Sequence, residues 1–294
     1  MIDRTSRPIG VFDSGVGGLS VLKSIWQELP DESCIYLADQ AHVPYGPRPL
    51  EQVRSFTVGI SQFLMENGVK LIVVACNAAS AAALHHLREA FPDTPFVGME
   101  PAVKPAVEHT RSGVVGVLAT PATFQGELYA SVVERFAAGV QLIQHTCPGL
   151  VAQIESGQLD SSTTRSILEE AINPMLERGI DTIVLGCTHY PFAIPLIQEI
   201  AGAGVRVIDP APAVARQVRR LLEQSDALAL SKQAMVYSDS PKGKLQSQVG
   251  CDVQFFTTGE ALPFREILQL FLNVNKPVNI ASWVKDLNRL STKQ

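Results

Sequence analysis

Residues 71–80, LIVVACNAAS, and residues 182–191, TIVLGCTHYP, are the two stretches that decide the fold. Each begins with a short apolar run, which ends at a cysteine followed by small or polar residues. Short apolar runs bounded by small residues are typical of buried parallel strands. In open parallel sheets, ligands bind beyond the carboxyl ends of the strands. We therefore expect Cys76 and Cys187 to lie at ligand-binding edges of a sheet.

Strand-like apolar runs alternate with helix-like segments along most of the chain. The segments Ser20–Leu29 and Leu50–Asn67 carry apolar residues at helical spacing, and Gly68 predicts the end of the second segment. The further runs that we predict as strands cover residues 9–12, 34–38, 96–98, 114–118, 140–143 and 205–208. This alternation predicts an α/β fold with a mostly parallel sheet that helices cover on both faces.

The strand pattern repeats once along the chain. Predicted strands start near residues 9, 35, 71 and 95, and again near 114, 140, 182 and 205, so the two series are offset by about 105–111 residues. Chance is the alternative explanation, because any α/β protein repeats strands at a similar interval. Duplication predicts two similar α/β domains whose mostly parallel sheets face each other across a cleft, about a pseudo-twofold axis. Cys76 and Cys187 hold equivalent places in the two series, so their thiols would face each other across that cleft.

Composition excludes several classes of protein. Of the 294 residues, 46% are hydrophobic and 18% are charged, which excludes a disordered chain. Acidic residues outnumber basic ones, 29 to 24, so we expect no nucleic-acid partner. No apolar run reaches the roughly 18 residues of a membrane-spanning helix, and the first residues lack the apolar core of a secretory signal. We therefore predict a cytoplasmic protein with no membrane partner.

The five cysteines are too sparse for a disulfide scaffold and are predicted to be free thiols. A helix is expected to begin near Cys76 and near Cys187, which would lower the pKa of both thiols. The other three are interpreted as structural, namely Cys34, Cys147 and Cys251. Zinc needs three or four Cys or His ligands in tight local pairs, and only Cys187 and His189 lie close, at an atypical spacing. We therefore expect no metal.

Two loops follow the first two predicted strands. Residues 13–20, DSGVGGLS, are glycine-rich but match neither the dinucleotide-binding nor the phosphate-loop pattern. We expect the backbone N–H groups of this loop to hold a small carboxylate, with Asp13 left for an ammonium group or a proton. Helix capping by Asp13 or Ser14 is the alternative. The second loop, Asp39–Pro49, contains three prolines and a glycine, which is typical of a stiff loop that can present Tyr45 to a ligand.

Five motifs are specific in combination. They are GVFDSGVGGL at 10–19, VPYG at 43–46, ACN at 75–77, LGCTHYP at 185–191 and FFTTG at 255–259. Together they resemble the glutamate racemase family, within the aspartate/glutamate racemases. The resemblance implies a cofactor-independent enzyme of the bacterial cytoplasm that interconverts L- and D-glutamate and supplies D-glutamate for peptidoglycan. It also implies a discontinuous first domain, residues 1–98 and 208–294, a second domain, residues 99–207, and an active site in the cleft. The small-molecule substrate is expected to be the main partner, and a homodimer is the oligomer that we consider.

The same resemblance assigns the site residues. It implies Cys76 and Cys187 as the catalytic bases, with Asp13 assisting Cys76, and with Glu155 and His189 assisting Cys187. The substrate contacts that it implies are Asp13, Ser14, Pro44, Tyr45, Gly46, Asn77, Ala78, Thr123, Thr188 and His189. Without the resemblance, Glu155 would be interpreted as a solvated residue near a helix end. The family commonly has threonine where this chain has Ala78, so one hydroxyl is missing beside the substrate carboxylate.

Two opposed thiols suit racemisation. One thiolate removes the Cα proton from one face while the opposing thiol delivers a proton to the other face, and the roles exchange in the reverse direction. Hydrogen bonds to the α-carboxylate in a closed site would stabilise the carbanion without pyridoxal phosphate. Two alternatives stay open at this point. A cysteine-nucleophile amidase or a decarboxylase on the same fold would need one thiol, and a non-catalytic binding module would need neither.

Overall fold

The computed structural model describes residues 4–230, 252–284 and 289–292. The strands are β1 (Ile9–Asp13), β2 (Cys34–Ala38), β3 (Leu71–Val74), β4 (Phe96–Gly98), β5 (Val114–Ala119), β6 (Gln141–His145), β7 (Thr182–Gly186), β8 (Arg206–Ile208), β9 (Val253–Thr257), β10 (Val278–Val284) and β11 (Arg289–Thr292). The helices are α1 (Leu19–Glu28), α2 (Leu50–Glu66), α3 (Asn77–Ala90), α4 (Val103–His109), α5 (Pro121–Gln125), α6 (Glu127–Phe136), α7 (Leu150–Glu155), α8 (Ser162–Glu177), α9 (Ile194–Ala201), α10 (Ala211–Gln224) and α11 (Ala261–Leu272). Short 3-10 turns lie at Arg4–Ser6 and Tyr190–Ala193.

These strands form two sheets. The large sheet has the order β11-β10-β9-β2-β1-β3-β4, and the small sheet has the order β6-β5-β7-β8. Neighbouring strands run parallel except for β10 and β11, which are antiparallel. The order β2-β1-β3-β4 recurs as β6-β5-β7-β8, with each strand in the equivalent chain position. The predicted fold, two similar α/β units with mostly parallel sheets, is confirmed.

The strand order determines where a ligand can bind. In the large sheet β2 and β3 flank β1 on opposite sides, and in the small sheet β6 and β7 flank β5 in the same way. The crevice beyond the carboxyl ends of the strands, where the order reverses, is the usual binding place in such sheets. Both thiols of the sequence motifs follow a strand next to that point, since Cys76 lies beyond β3 and Cys187 directly follows β7.

Burial explains why the central segments are strands. Every residue of β1, β2, β3 and β7 is buried, as expected for parallel strands that helices cover on both faces. The edge strand β6 is only partly buried, and exposed residues interrupt its apolar ones. The continuous apolar runs in the sequence therefore mark the middle of each sheet.

The strands and helices differ from the predicted ranges mainly at their ends. The strand predicted at residues 140–143 covers Gln141–His145, and the helix predicted at Ser20–Leu29 covers Leu19–Glu28. The large sheet also extends further than the periodicity indicated, because β9 pairs with β2 and carries β10 and β11 beside it. Within the described ranges, no helix is both long enough and apolar enough to cross a membrane.

Candidate active site

Cys76 and Cys187 line one small cavity between the two sheets. Cys76 is the N-cap residue of α3, and its side chain is largely buried, as is that of Cys187. The cavity is lined by Ser14, Pro44, Tyr45, Gly46, Cys76, Asn77, Ala78, Thr120, Val151, Cys187, Thr188 and His189. Residues from both halves of the chain therefore surround one space, with a thiol contributed by each half.

His189 connects Cys187 to Glu155. Its Nδ1 lies 3.7 Å from Cys187 Sγ, and its Nε2 lies 2.5 Å from Glu155 Oε1. Burial alone would lower the pKa of His189, but its hydrogen bonds to Cys187 and Glu155 raise the pKa well above the ordinary value. The imidazole is therefore protonated at neutral pH. It places a positive charge and an N–H donor 3.7 Å from Cys187 Sγ.

Glu155 is ionised although it is largely enclosed. Burial alone would raise its pKa, but the hydrogen bond and positive charge of His189, together with the Val16 N–H, hold the pKa below the ordinary value. The Val16 N–H donates to Glu155 Oε1 at 2.7 Å. The interpretation of Glu155 as a solvated residue is therefore wrong, and its predicted place on the Cys187 side agrees with the geometry.

The glycine-rich loop after β1 holds carboxylates that belong to the chain itself. The N–H groups of Gly15 and Gly18 donate to Asp13 Oδ2 at 3.3 and 3.0 Å, and the Val16 N–H is taken by Glu155. The expectation that these N–H groups hold a ligand carboxylate is therefore wrong for these three donors. Asp13 instead accepts from N–H groups of its own loop. The alternative role, a side-chain cap of α1, is not seen either, because both donors precede Leu19, where the helix begins.

Asp13 is fully buried and lies between the two halves. Thr188 Oγ1, from the other half, donates to Asp13 Oδ1 at 3.3 Å. Burial raises the pKa of Asp13 above its ordinary value, although the charge of His189 opposes the shift. A carboxyl group whose pKa is raised accepts a proton more readily than an ordinary one, which suits an acid–base role.

The surroundings of Cys76 favour the neutral thiol. Its S–H group points to Ser14 Oγ at 3.9 Å. Burial raises the pKa of Cys76 well above the ordinary value, and the nearby Asp13 raises it further, while the Ala79 N–H of the following helix lowers it. The predicted lowering by the helix N-terminus is therefore wrong in its net effect, because desolvation outweighs the helix. The helix after Cys187 also begins later than expected, because the 3-10 turn at Tyr190–Ala193 precedes α9.

Asn77 offers an unpaired amide group to the cavity. Its side chain is buried and lines the cavity, yet neither Oδ1 nor Nδ2 has a hydrogen-bond partner among the described residues. An unsatisfied buried amide costs about 1–3 kcal/mol. The arrangement favours a bound polar group at Asn77.

Comparison with known proteins identifies the family. The model for "Asp/Glu/Hydantoin racemase" matches residues 9–218. A glutamate racemase of Roseiflexus sp. (strain RS-1) is 53% identical over 224 residues, which cover 76% of this chain and 82% of that protein. The chain belongs to the Asp/Glu/Hydantoin racemase family. The prediction of a glutamate racemase, an amino-acid racemase, is confirmed by these matches.

Further relatives of this racemase agree. A glutamate racemase of Pseudomonas paraeruginosa is 52% identical over 229 residues, which cover 78% of this chain and 86% of that protein. The crystal structure of glutamate racemase isoform RacE1 from Bacillus anthracis has a TM-score of 0.79 at 31% identity, covering 97% of this chain and 99% of that one. Glutamate racemase from Francisella tularensis, solved in complex with D-glutamate, has a TM-score of 0.78 at 28% identity, covering 96% and 99%.

In this racemase, Asp39 holds the proline-rich loop in place. The carboxylate is fully buried and has four side-chain partners from three parts of the chain. Its Oδ2 accepts from Tyr45 Oη at 2.6 Å and lies 2.9 Å from His42 Nδ1, and its Oδ1 accepts from Thr258 Oγ1 at 2.7 Å and Trp283 Nε1 at 2.8 Å. The Tyr45 hydroxyl is therefore occupied by Asp39, whose role the sequence did not predict.

The predicted contact residues are not all in the lining of the cavity. Thr123 lies behind it, where its Oγ1 is 3.1 Å from Thr120 Oγ1 and donates to the Gly186 carbonyl at 3.4 Å. Thr120 lines the cavity instead, and Val151 also does so without having been predicted. Asp13 also lies outside the lining of the cavity. It accepts a hydrogen bond from Thr188, which is one of the lining residues.

The remaining cysteines are buried and free where the structure describes them. Cys34 and Cys147 make no disulfide, as predicted, and Cys251 lies outside the described residues. Cys147 Sγ lies 3.6 Å from His145 Nδ1, and burial raises its pKa to about 12. Such a thiol is unreactive near neutral pH, in agreement with the structural interpretation.

Proposed function

We propose that this racemase interconverts L- and D-glutamate with Cys76 and Cys187 as the acid–base groups on opposite faces of the substrate. The observation that carries the proposal is that one cavity is lined by two thiols, each following the equivalent strand of a repeated sheet. A Cα proton removed on one side can then be replaced from the other without moving the substrate. A one-thiol amidase or decarboxylase has no use for this second thiol.

The environments of the thiols give each a resting role. Cys187 lies beside the protonated His189, and Cys76 donates its S–H to Ser14. In the proposed mechanism Cys187 removes the Cα proton of one enantiomer, while Cys76 delivers its own proton to the opposite face. We assign that enantiomer as L-glutamate, and Cys76 acts on D-glutamate after the roles have exchanged.

The substrate is held mainly by the first turn of α3. The unpaired amide of Asn77 and the N–H groups at the start of α3 suit a carboxylate. Ala78 offers no hydroxyl there, so the backbone carries this contact. Ser14, Pro44, Tyr45, Gly46, Thr188 and His189 complete the proposed contacts, while Thr123 acts indirectly through Thr120.

We also propose two domains, residues 1–98 with 208–294 and residues 99–207. This division is supported by the sheets, because β1–β4 and β9–β11 share one and β5–β8 form the other. Racemisation here needs no metal, nucleotide or pyridoxal phosphate. The enzyme acts in the bacterial cytoplasm, its D-glutamate enters peptidoglycan, and a homodimer stays a prediction.

Single-thiol variants test the two-base assignment. Optical rotation of L-glutamate should decay to zero with the unmodified enzyme, and Cys76→Ala and Cys187→Ala should each lose about 10²–10⁴-fold or more in rate. In heavy water, Cys76→Ala should exchange the Cα proton of L-glutamate, and Cys187→Ala that of D-glutamate, with retention. A variant that still inverts glutamate near the original rate, or two variants that label the same enantiomer, would contradict the assignment.

A further inference from the structure

Glu155 belongs to the half that carries Cys187, but the other half supplies part of its hydrogen bonding. Oε1 accepts from the Val16 N–H, and Oε2 accepts from Gln40 Nε2 at 3.4 Å. Gln40 lies just beyond β2 in the large sheet, whereas Glu155 ends α7. The carboxylate is thus fixed by donors across the cleft as well as by His189.

The side chain of Gln40 is itself oriented by the FFTTG motif. Thr257 Oγ1 donates to Gln40 Oε1 at 2.8 Å, and the Gly259 N–H donates to Thr257 Oγ1 at 3.0 Å. A side chain at Gly259 would crowd Gln40, since a Cβ there would lie 2.9 Å from Gln40 Cβ. Because the hydroxyl of Thr257 occupies the amide oxygen, the amide NH₂ is left to face Glu155.

We propose that Gln40, oriented by Thr257, is a positioning residue for the acid–base chemistry at Cys187. By holding Oε2 of Glu155, Gln40 directs Oε1 to His189 Nε2, which keeps the other ring nitrogen beside Cys187 Sγ. The relay Thr257–Gln40–Glu155–His189–Cys187 spans both halves, so it is complete only when they are together. This inference rests on the proposed two-thiol racemisation.

The relay predicts an asymmetry that a general loss of structure would not produce. Gln40 acts on the Cys187 side, whereas the contacts of Cys76 are with Ser14 and Asp13. The two enantiomers are equal in energy, so any variant must change kcat/KM equally in both directions. Primary isotope effects can differ, because Cα-deuterated L-glutamate reports proton removal by Cys187 and Cα-deuterated D-glutamate reports removal by Cys76.

The experiment replaces the amide and keeps the side-chain volume. Gln40→Met should lower kcat/KM by about tenfold, the usual effect of losing one hydrogen bond to a charged group. The isotope effect on kcat/KM should rise with deuterated L-glutamate and fall with deuterated D-glutamate. Thr257→Val should shift both isotope effects in the same directions as Gln40→Met, but by smaller amounts. Thr257→Ser keeps the hydroxyl and should show the isotope effects of the unmodified enzyme.

Gln144→Met is the matched control. Its amide donates to Tyr129 Oη at 2.9 Å in the small sheet, away from the cavity, so neither rate nor isotope effects should change. An unchanged rate in Gln40→Met, or a lower rate with both isotope effects unaltered, would overturn the positioning role. Thermal unfolding verifies that each variant folds, and Thr257→Val provides the same test without altering Gln40. Failure of the unmodified enzyme to racemise glutamate would instead reject the proposed function.

Discussion

The two thiols differ in the charges that surround them. Cys187 has a protonated imidazole at 3.7 Å, while Cys76 lies near the buried carboxyl group of Asp13 and is held as a thiol. Equivalent positions in the repeated sheet therefore carry opposite electrostatic environments. The difference matters because a two-base racemase needs one group deprotonated and the other protonated when the substrate binds.

Asp13→Asn should lower kcat by about 10²-fold and raise KM much less. Asp13 is not in the cavity lining, so little substrate binding is lost, but the carboxyl that can exchange a proton with Cys76 is removed. The isotope effects should mirror those of Gln40→Met, rising with deuterated D-glutamate and falling with deuterated L-glutamate. Steady-state kinetics with both enantiomers, each with and without deuterium at Cα, measure kcat, KM and the isotope effects. A rise in KM alone would show that Asp13 is a uniform binding group.

Sequence reasoning was most successful for residues inside continuous motifs. Cys76, Cys187 and His189 follow strands whose apolar runs are unmistakable, so their place at the sheet edge could be predicted. Gln40 and Thr120 could not be, because their roles depend on contacts between residues far apart in the chain. The pKa of Cys76 also depends on burial, which no local pattern measures.

At the scale of elements, the glycines after β1 make room for three side chains of the other half that lie at the candidate site. A Cβ at Gly15 would overlap Glu155 Oε1, and a Cβ at Gly17 would overlap His189 Nδ1 and lie 2.8 Å from Thr188 Oγ1. The loop resembles a nucleotide-binding loop only in composition. Its glycines let two halves approach, so that Glu155 reaches the Val16 N–H.

Gly17→Ala should therefore reduce kcat/KM by about tenfold or more, because the new methyl group displaces His189 from Cys187. The matched control is Gly204→Ala, where a Cβ meets no atom within 4 Å. Kinetics with L-glutamate and thermal unfolding of both variants give the comparison. Unchanged kinetics in Gly17→Ala, with a fold as stable as the control, would show that the loop yields without disturbing His189.

The extent of each sheet was harder to predict than its central strands. Strands β1 to β3 are continuous apolar runs because both faces are covered, whereas β10 has buried and exposed residues without a regular alternation. The motif around Thr257 was recognised, but its pairing as β9 with β2 is a contact between distant parts of the chain. Periodicity reports burial along one segment and carries no information on such partners.

For the whole molecule, stability and catalysis depend on opposite ends of the large sheet. The thiols follow the carboxyl ends of strands, whereas Lys70 and Glu32 lie just before β3 and β2. Their side chains are almost fully buried, and Lys70 Nζ is 2.6 Å from Glu32 Oε2. Lys70 Nζ also donates to the carbonyls of Thr5 and Ala227, and Glu32 Oε1 accepts from the Ala229 N–H. Through Ala227 and Ala229, the cluster connects the segment after α10 to the large sheet, at the end where β2 and β3 begin.

Lys70→Met should lower the free energy of unfolding by about 3–5 kcal/mol, because it leaves the Glu32 carboxylate buried without its counter-charge. Adding Glu32→Gln should recover a large part of that loss, since the amide is neutral and its oxygen can still accept from the Ala229 N–H. Urea denaturation of both variants measures the difference, and kcat/KM per folded molecule should stay unchanged because the cluster is remote from the cavity. A double variant no more stable than Lys70→Met would show that the lost carbonyl contacts of Lys70, rather than the unpaired charge, account for the damage.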